Sequence, residues 1–191
     1  MSVQERKARE RASRHRSIIV AAREMAEAEG WDAVTTRRLA ERIEYSQPVL
    51  YSHFRGKDEI IAAVALDGFS EMTLELSRAV SGTHSPRAAV AALTSAYIAF
   101  GERHPAVYDS MFNLDNGLPF ADPAAPAPMR ESFQVLHDTL TLVAGTVEPG
   151  LLAEVYWAAV HGLVELTRTG RVPPQGTARR IEVLVDRFAV E

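Results

Sequence analysis

The sequence predicts an all-α protein, with a small N-terminal head of three helices joined by one long helix to a larger helical body. Three observations carry that expectation. From residue 13 onward apolar residues recur three and four apart, the spacing that paints one face of a helix. Gly30, Gly56, Pro86, Pro105, Gly145 and Pro149 punctuate these stretches, where helices stop or start. No strand-like alternation and no internal repeat breaks the pattern.

Residues 1–12 read as a charged tail or a frayed helix start. Ser13–Glu29 form the first helix, with Ile18, Ile19, Ala22, Met25, Ala26 and Ala28 at helical spacing, and Gly30 stops it. Trp31–Val34 form a connector, and Thr35 suits an N-cap. Thr36–Ile43 give a short second helix with Leu39, Ala40 and Ile43 inward. Ser46 is placed to cap a third helix opening at Gln47, where Pro48 is tolerated in the first turn. After Gly56 a long helix runs from about Lys57 to Val80, with Asp58 and Glu59 favourable at its N-terminus.

The rest also reads helical. Segment 81–87 is a loop, Arg87–Arg103 a helix, and 104–112 a short helix opened by Pro105. The Pro/Ala-rich stretch 117–128 is a loop. Met129–Gly145, Pro149–Thr169 and Thr177–Val190 are the remaining helices, with a turn at 171–176. The expected domains are a head over 13–60, a linking helix over 57–80 and a body over 81–191. The second and third helices are too short to be stable alone and need mutual packing with the first.

Composition bounds the function. A chain of 191 residues, 47% hydrophobic and 24% charged, builds a folded core. The absence of cysteine excludes disulfides and thiolate metal sites and fits a reducing cytoplasm, the expected location. The highly charged N-terminus lacks the apolar stretch of a signal peptide, and no run of 18 apolar residues predicts a membrane span. Net charge is -4, so overall basicity does not point to a polyanion. The distribution does: residues 1–60 hold 12 Arg/Lys against 10 Asp/Glu, and the rest 9 against 15. A mildly basic end on an acidic body can meet phosphate while limiting unspecific adhesion.

A three-helix head of this size is a recurrent DNA-reading device, because one helix fills the major groove. Gln47 opens the third helix, and its carboxamide can both donate to and accept from a base edge; the alternative is a solvated surface glutamine. Pro48 offers a rigid apolar surface to a thymine methyl, or is simply a helix-start proline. Arg37 reaches either a base edge or a phosphate. Thr35, Thr36 and Ser46 combine hydroxyls with helix-start amides, which suits phosphate clamping, although capping alone explains them. Lys57 at the start of the long helix makes a phosphate site with the amides there. Phe54 is expected in the small core.

The segment TTRRLAERIEYSQPVLYSHFRGKDEI (35–60) resembles the DNA-binding domain of the tetracycline-repressor family. The likeness rests on Thr35–Thr36, Arg37, Leu39–Ala40, Gln47–Pro48, Leu50–Tyr51, His53 and Lys57, and the family-like region spans roughly 14–65. It implies base contact for Arg37, Gln47 and Pro48. It implies backbone contact for Thr35, Thr36, Ser46, Tyr51, His53 and Lys57; for His53, packing on the long helix is the alternative. Two positions depart from the family pattern. Glu44 stands where glycine is usual, so glutamate takes a left-handed conformation at roughly 1 kcal/mol or alters the turn. Tyr45 stands where a small aliphatic residue is common, and is either buried with its hydroxyl at the rim or directed toward DNA.

The strings YWAAVHGLVELTRTG (156–170) and AYIAFGERHPAVYDSMF (96–112) resemble a subgroup of that family with a Trp-His-Gly signature in the C-terminal domain. This likeness implies dimerisation and an effector pocket. The expected partners are double-stranded DNA with a palindromic operator, a second copy of the chain, and a small apolar or amphipathic effector; no membrane partner is expected. Gly162, Leu163 and Leu166 are the candidate dimer contacts, in a four-helix arrangement of 149–169 and 177–190 from each subunit. Tyr97, Phe100, Met111, Phe112, Phe133, Leu136, Trp157 and His161 either line a pocket or fill an ordinary core. No cofactor is expected, and His104 and His137–Asp138 lack metal-ligand spacing. The expected function is a ligand-responsive homodimeric repressor. The alternatives are an interaction adaptor with a degenerate DNA-binding head, motivated by Glu44 and the poor basicity, or an enzyme using His161 and Glu165, for which no nucleophile is evident.

Overall fold

The computed structural model describes residues 2–189. Among them every regular element is helical, as the spacing of apolar residues predicts: α1 (Val3–Glu29), a single 3-10 turn (Trp31–Ala33), α2 (Thr36–Arg42), α3 (Gln47–Tyr51), α4 (Lys57–Ser81), α5 (Pro86–Arg103), α6 (Pro105–Phe112), α7 (Ala127–Thr141), α8 (Pro149–Arg168) and α9 (Thr177–Phe188).

The first helix begins ten residues before the expected start at Ser13. Ser2 and Glu5 form a capping box, each side chain accepting from the other's amide (3.2 and 2.7 Å). That reciprocal pair satisfies two otherwise orphaned donors and fixes the first turn. Ile18, Ile19, Ala22, Met25 and Ala26 are buried, whereas Ala28 is exposed. At the far ends, α7 stops at Thr141 rather than Gly145. The α9 helix stops at Phe188 with Ala189 as its C-cap, whereas the expected end, Val190, lies outside the described residues.

The chain forms two compact units, and their boundaries are interleaved. The first comprises residues 1–68 and 104–124; the second comprises 69–103 and 125–191. The expected division is linear, with the body starting at 81. Instead α6 and its following loop group with the N-terminal helices, and the reason is local. The Glu27 carboxylate of α1 accepts from the amides of Ala106 and Val107, both at 3.1 Å, so a residue of α1 caps the N-terminus of α6. The buried Trp31 indole donates to the Ala106 carbonyl at 2.7 Å. Gly68 lets α4 approach α6 closely: a Cβ built there would lie 2.5 Å from Val107 Cγ1.

In the second unit α5 packs on α7, α8 and α9, and α7 on α8. Phe100, Leu93, Tyr97, Tyr156, Val160 and Leu136 fill its core. Glu148 caps α8 by accepting from the amides of Gly150 (2.9 Å) and Leu151 (2.6 Å), which holds its carboxyl below the usual carboxylate range. Arg180 closes the 171–176 turn on the carbonyls of Pro173 (2.8 Å) and Gln175 (3.2 Å). Tyr156 is buried and meets the Thr94 hydroxyl at 2.9 Å. Since Thr94 gives its proton to the Val90 carbonyl, Tyr156 is the donor of that pair. Burial pushes its phenol up.

Candidate nucleic-acid interface

The head is assembled from small pieces that each need a partner. Thr35 caps α2, its hydroxyl accepting from the Arg38 amide at 3.2 Å. Arg38 reaches back to Glu29 with two bonds of 2.9 Å and to the Ala33 carbonyl at 3.1 Å, so it fastens α2 to the 3-10 turn. Arg42 pairs with Glu24 at 2.9 Å and fastens the other end of α2 to α1. Leu39, Ala40, Leu50 and Phe54 are buried at the centre. Ile43 is only half-buried, because the helix has ended and Ile43 is its C-cap.

The link between α2 and α3 is a Schellman turn. The Tyr45 amide donates to the Ala40 carbonyl (2.9 Å) and the Glu44 amide to that of Glu41 (3.3 Å), the paired bonds that define the motif. Its left-handed position is Glu44, at φ 57°. Glutamate therefore accepts the strain that glycine avoids, and the turn keeps its usual geometry. Tyr45 is half-buried against α1, where it lines a groove with Arg9, Glu10, Ser13 and Arg14.

At the start of α3, Ser46, Gln47 and Pro48 are all exposed. Ser46 occupies the expected N-cap position, but its exposed side chain makes no capping bond, which corrects the expected side-chain capping role. Tyr51 is 51% exposed and its hydroxyl lies 3.3 Å from that of Thr36, which ties the first turn of α2 to the end of α3. Arg37 is exposed on α2 and pairs with Glu41 at 3.0 Å, a surface contact worth only about 0.3–0.5 kcal/mol and readily exchanged for a stronger anion.

His53 is half-buried, its ring 6.3 Å from that of His15, which itself stacks on Phe54. Burial first, then the positive charges of Arg11, His15 and Arg14, hold its imidazole below the ordinary value. Lys57 Nζ donates to the Trp31 carbonyl at 2.5 Å; an ammonium carries three donors, so this bond orients it without exhausting it. Arg11 lies in the charged segment 1–12, which reads as a tail unless the Ser2–Glu5 capping box is recognised, whereas Arg14 lies in the expected first helix without an assigned role.

The candidate effector residues fall in different units. Met111 and Phe112 belong to the first, the others to the second. Tyr97, Phe100 and Leu136 are core residues, whereas Phe133 is 36% exposed. Trp157 donates to the Tyr97 hydroxyl at 2.9 Å and its ring lies 6.1 Å from that of His161, so these three residues do come together. Burial lowers the His161 imidazole, outweighing the attraction of Glu165. Gly162 and Leu163 are half-buried on α8 and Leu166 is 40% exposed.

Two short helices joined by a Schellman turn, with α3 offering its exposed first residues, define a helix-turn-helix protein of the all-α class. The family model of bacterial regulatory proteins of the tetR family matches residues 18–64, and that of the tetracyclin repressor-like C-terminal domain matches residues 90–188. An uncharacterized HTH-type transcriptional regulator of Mycobacterium tuberculosis is 27% identical over 81% of this chain and 70% of its own length. The class A tetracycline repressor protein of Escherichia coli is 41% identical over 73 residues, 38% of this chain and 30% of that protein. In fold, a Rhodococcus sp. RHA1 protein of unknown function superposes with a TM-score of 0.76 at 24% identity, over 91% of this chain and 92% of that one. The chain belongs to the tetracycline-repressor family and is a DNA-binding transcriptional regulator.

No described helix is long and apolar enough to cross a membrane.

Proposed function

We propose that this regulator is a homodimeric, ligand-responsive repressor that acts in the cytoplasm on a palindromic operator. The observation that carries the reading is the exposed Ser46–Gln47–Pro48 edge of α3, held in place by the Schellman turn before it. Gln47 and Pro48 read base edges, with Arg37 reaching in from α2. Thr35, Thr36, Ser46, Tyr51, His53 and Lys57 hold the backbone and set the register.

Dimerisation is supported by α8. Leu151, Val155 and Leu166 are 54%, 53% and 40% exposed, and with Gly162 they fall on one stripe of the helix. Nothing lies within 4 Å of a Cβ built on Gly162, so a second helix can approach there. An apolar stripe of this kind needs a cover, and a second copy supplies one with two-fold symmetry that matches a palindrome. A small apolar or amphipathic effector, held in the body by residues such as Tyr97, Trp157 and His161, then favours one arrangement of the reading heads over another.

The test is selection of bound genomic fragments by the purified protein, with a salt titration. The expected result is one enriched palindrome with salt-dependent affinity. Gln47→Ala then relaxes the preference at one position of each half-site, at about 1–3 kcal/mol per lost bidentate contact. A folded, effector-free dimer that enriches no sequence at low salt overturns the reading in favour of an interaction adaptor.

A further inference from the structure

Residues 2–14 of α1 are all exposed, so its first three turns bury nothing of the core. A helix without a buried face is marginal, and its first turn is held by the Ser2–Glu5 capping box. Arg6, Lys7, Arg9, Arg11 and Arg14 stand against Glu5 and Glu10 in this stretch. Of these, Arg6 pairs with Glu10 at 3.9 Å. The stretch therefore carries an exposed excess of positive charge, which an anionic partner would neutralise.

The stripe is also aimed. Lys7, Arg11, Arg14 and Ile18 lie on one face of α1, at spacings of four, three and four. Ile18 is fully buried, which fixes that face toward the head. One turn earlier, His15 stacks on Phe54. Arg11 donates to the Ser52 carbonyl at 3.3 Å, immediately after the end of α3, and Arg11 and Arg14 are close enough to His53 to depress its imidazole. Arg9 and Arg14 also border the groove beneath Tyr45 in the α2–α3 turn. The basic stripe thus starts beside Ser52 and His53, just after α3, and runs outward through Lys7.

We infer that the N-terminal turns of α1 form a second phosphate-binding ridge, which grips DNA backbone flanking the bases read by α3. Arg11 and Arg14 are its inner contacts and Lys7 its outer one. The ridge recognises charge and spacing, not sequence, and so lengthens the footprint without altering the operator preference. This inference rests on the DNA-binding reading of α3.

The experiment uses the full-length protein and the operator recovered by selection, as a duplex with long flanks and as one trimmed to the bases that α3 reads. Lys7→Gln with Arg14→Gln is compared with wild type and with Gln47→Ala. Both changed side chains are exposed, and unchanged thermal melting confirms intact folding. On the long duplex the double variant loses affinity, and its log K against log salt slope becomes shallower by about 2 for each bound protomer. Its base preference stays that of wild type, and the Lys7→Arg, Arg14→Lys pair restores the slope. Trimming the flanks weakens wild type but not the double variant. An unchanged slope and affinity in the double variant, with Gln47→Ala still relaxing specificity, overturns the ridge and leaves the reading head standing. Wild-type protein that binds no duplex at low salt overturns both.

Discussion

Lys57 and Trp31 meet through a single bond, from the lysine ammonium to the tryptophan carbonyl at 2.5 Å. The bond fixes the first residue of α4 on the 3-10 turn that follows α1. Trp31 in turn donates its indole N–H to Ala106 at the start of α6. A candidate phosphate anchor is thereby held on a buried tryptophan. Lys57→Ala is expected to weaken DNA binding about equally across sequences, because a phosphate contact carries no base information. It should also cost about 1–2 kcal/mol of stability, from the loss of a charge-assisted bond to a backbone acceptor. Parallel binding curves on operator and random duplexes, with urea unfolding, check both. A loss confined to the operator would contradict the anchor role.

Glu44 provides a second prediction. Its φ of 57° costs a non-glycine residue about 1 kcal/mol. Glu44→Gly removes that strain but adds unfolded-chain entropy of about 0.5 kcal/mol. The expected net gain is about 0.5 kcal/mol, read as a higher urea midpoint with an unchanged slope. Glu44→Val should go the other way, since a β-branched side chain tolerates this region least.

Much of this was legible in the sequence because helices declare themselves locally. Gly30, Pro86, Pro105 and Pro149 placed helix ends to within a residue, and the Thr35 cap was correct in type and position. The elements that escaped depend on contacts distant in sequence. Trp31 reads as part of a connector, yet its partner Ala106 lies 75 residues away. Glu27 carries no signal of its own in the sequence, yet it caps α6. The grouping of α6 with the N-terminal unit follows from those two contacts, and helical periodicity contains no trace of either. The early start of α1 was missed for a different reason. Its first turns have no apolar face, so the only signal was the Ser2–Glu5 spacing. In the candidate site the residue types on α2 and α3 were evident from their order, whereas the engagement of Lys57 and the silent Ser46 side chain required coordinates.

At Gly68 α4 lies tight against α6. A methyl group there would sit 2.5 Å from Val107 Cγ1 and 2.9 Å from Met111 Sδ. The Met111 side chain can move, but the branched Val107, buried and fixed on a capped helix, has little freedom. Gly68→Ala is expected to destabilise the protein by about 1–3 kcal/mol through overpacking, despite the better helix propensity of alanine. Val107→Ala should recover part of that loss in the double variant. A coupling of about 1 kcal/mol or more in the double-mutant cycle would locate the clash, and strict additivity would refute it.

His161 should make stability depend on pH with a definite sign. Burial lowers its imidazole below 6.5, with Arg168 acting in the same direction and Glu165 opposing. The unfolded chain therefore takes up its proton first as the pH falls. Between the ordinary value and the lower folded one the unfolded state binds more protons, so in that window stability rises with increasing pH and declines as the medium becomes more acid. The contribution is fully present above about pH 6.5 and is lost as the pH drops through 6.5 toward the folded value. His53, also lowered, adds a term of the same sign from the other unit. Urea unfolding at intervals from pH 8 to pH 5 should show the decline, and His161→Gln should make it shallower without abolishing it. His161→Gln with His53→Gln should flatten it further. A decline unaltered in His161→Gln would show that the ring is not desolvated by the fold, and that its neighbourhood beside Trp157 is open to water.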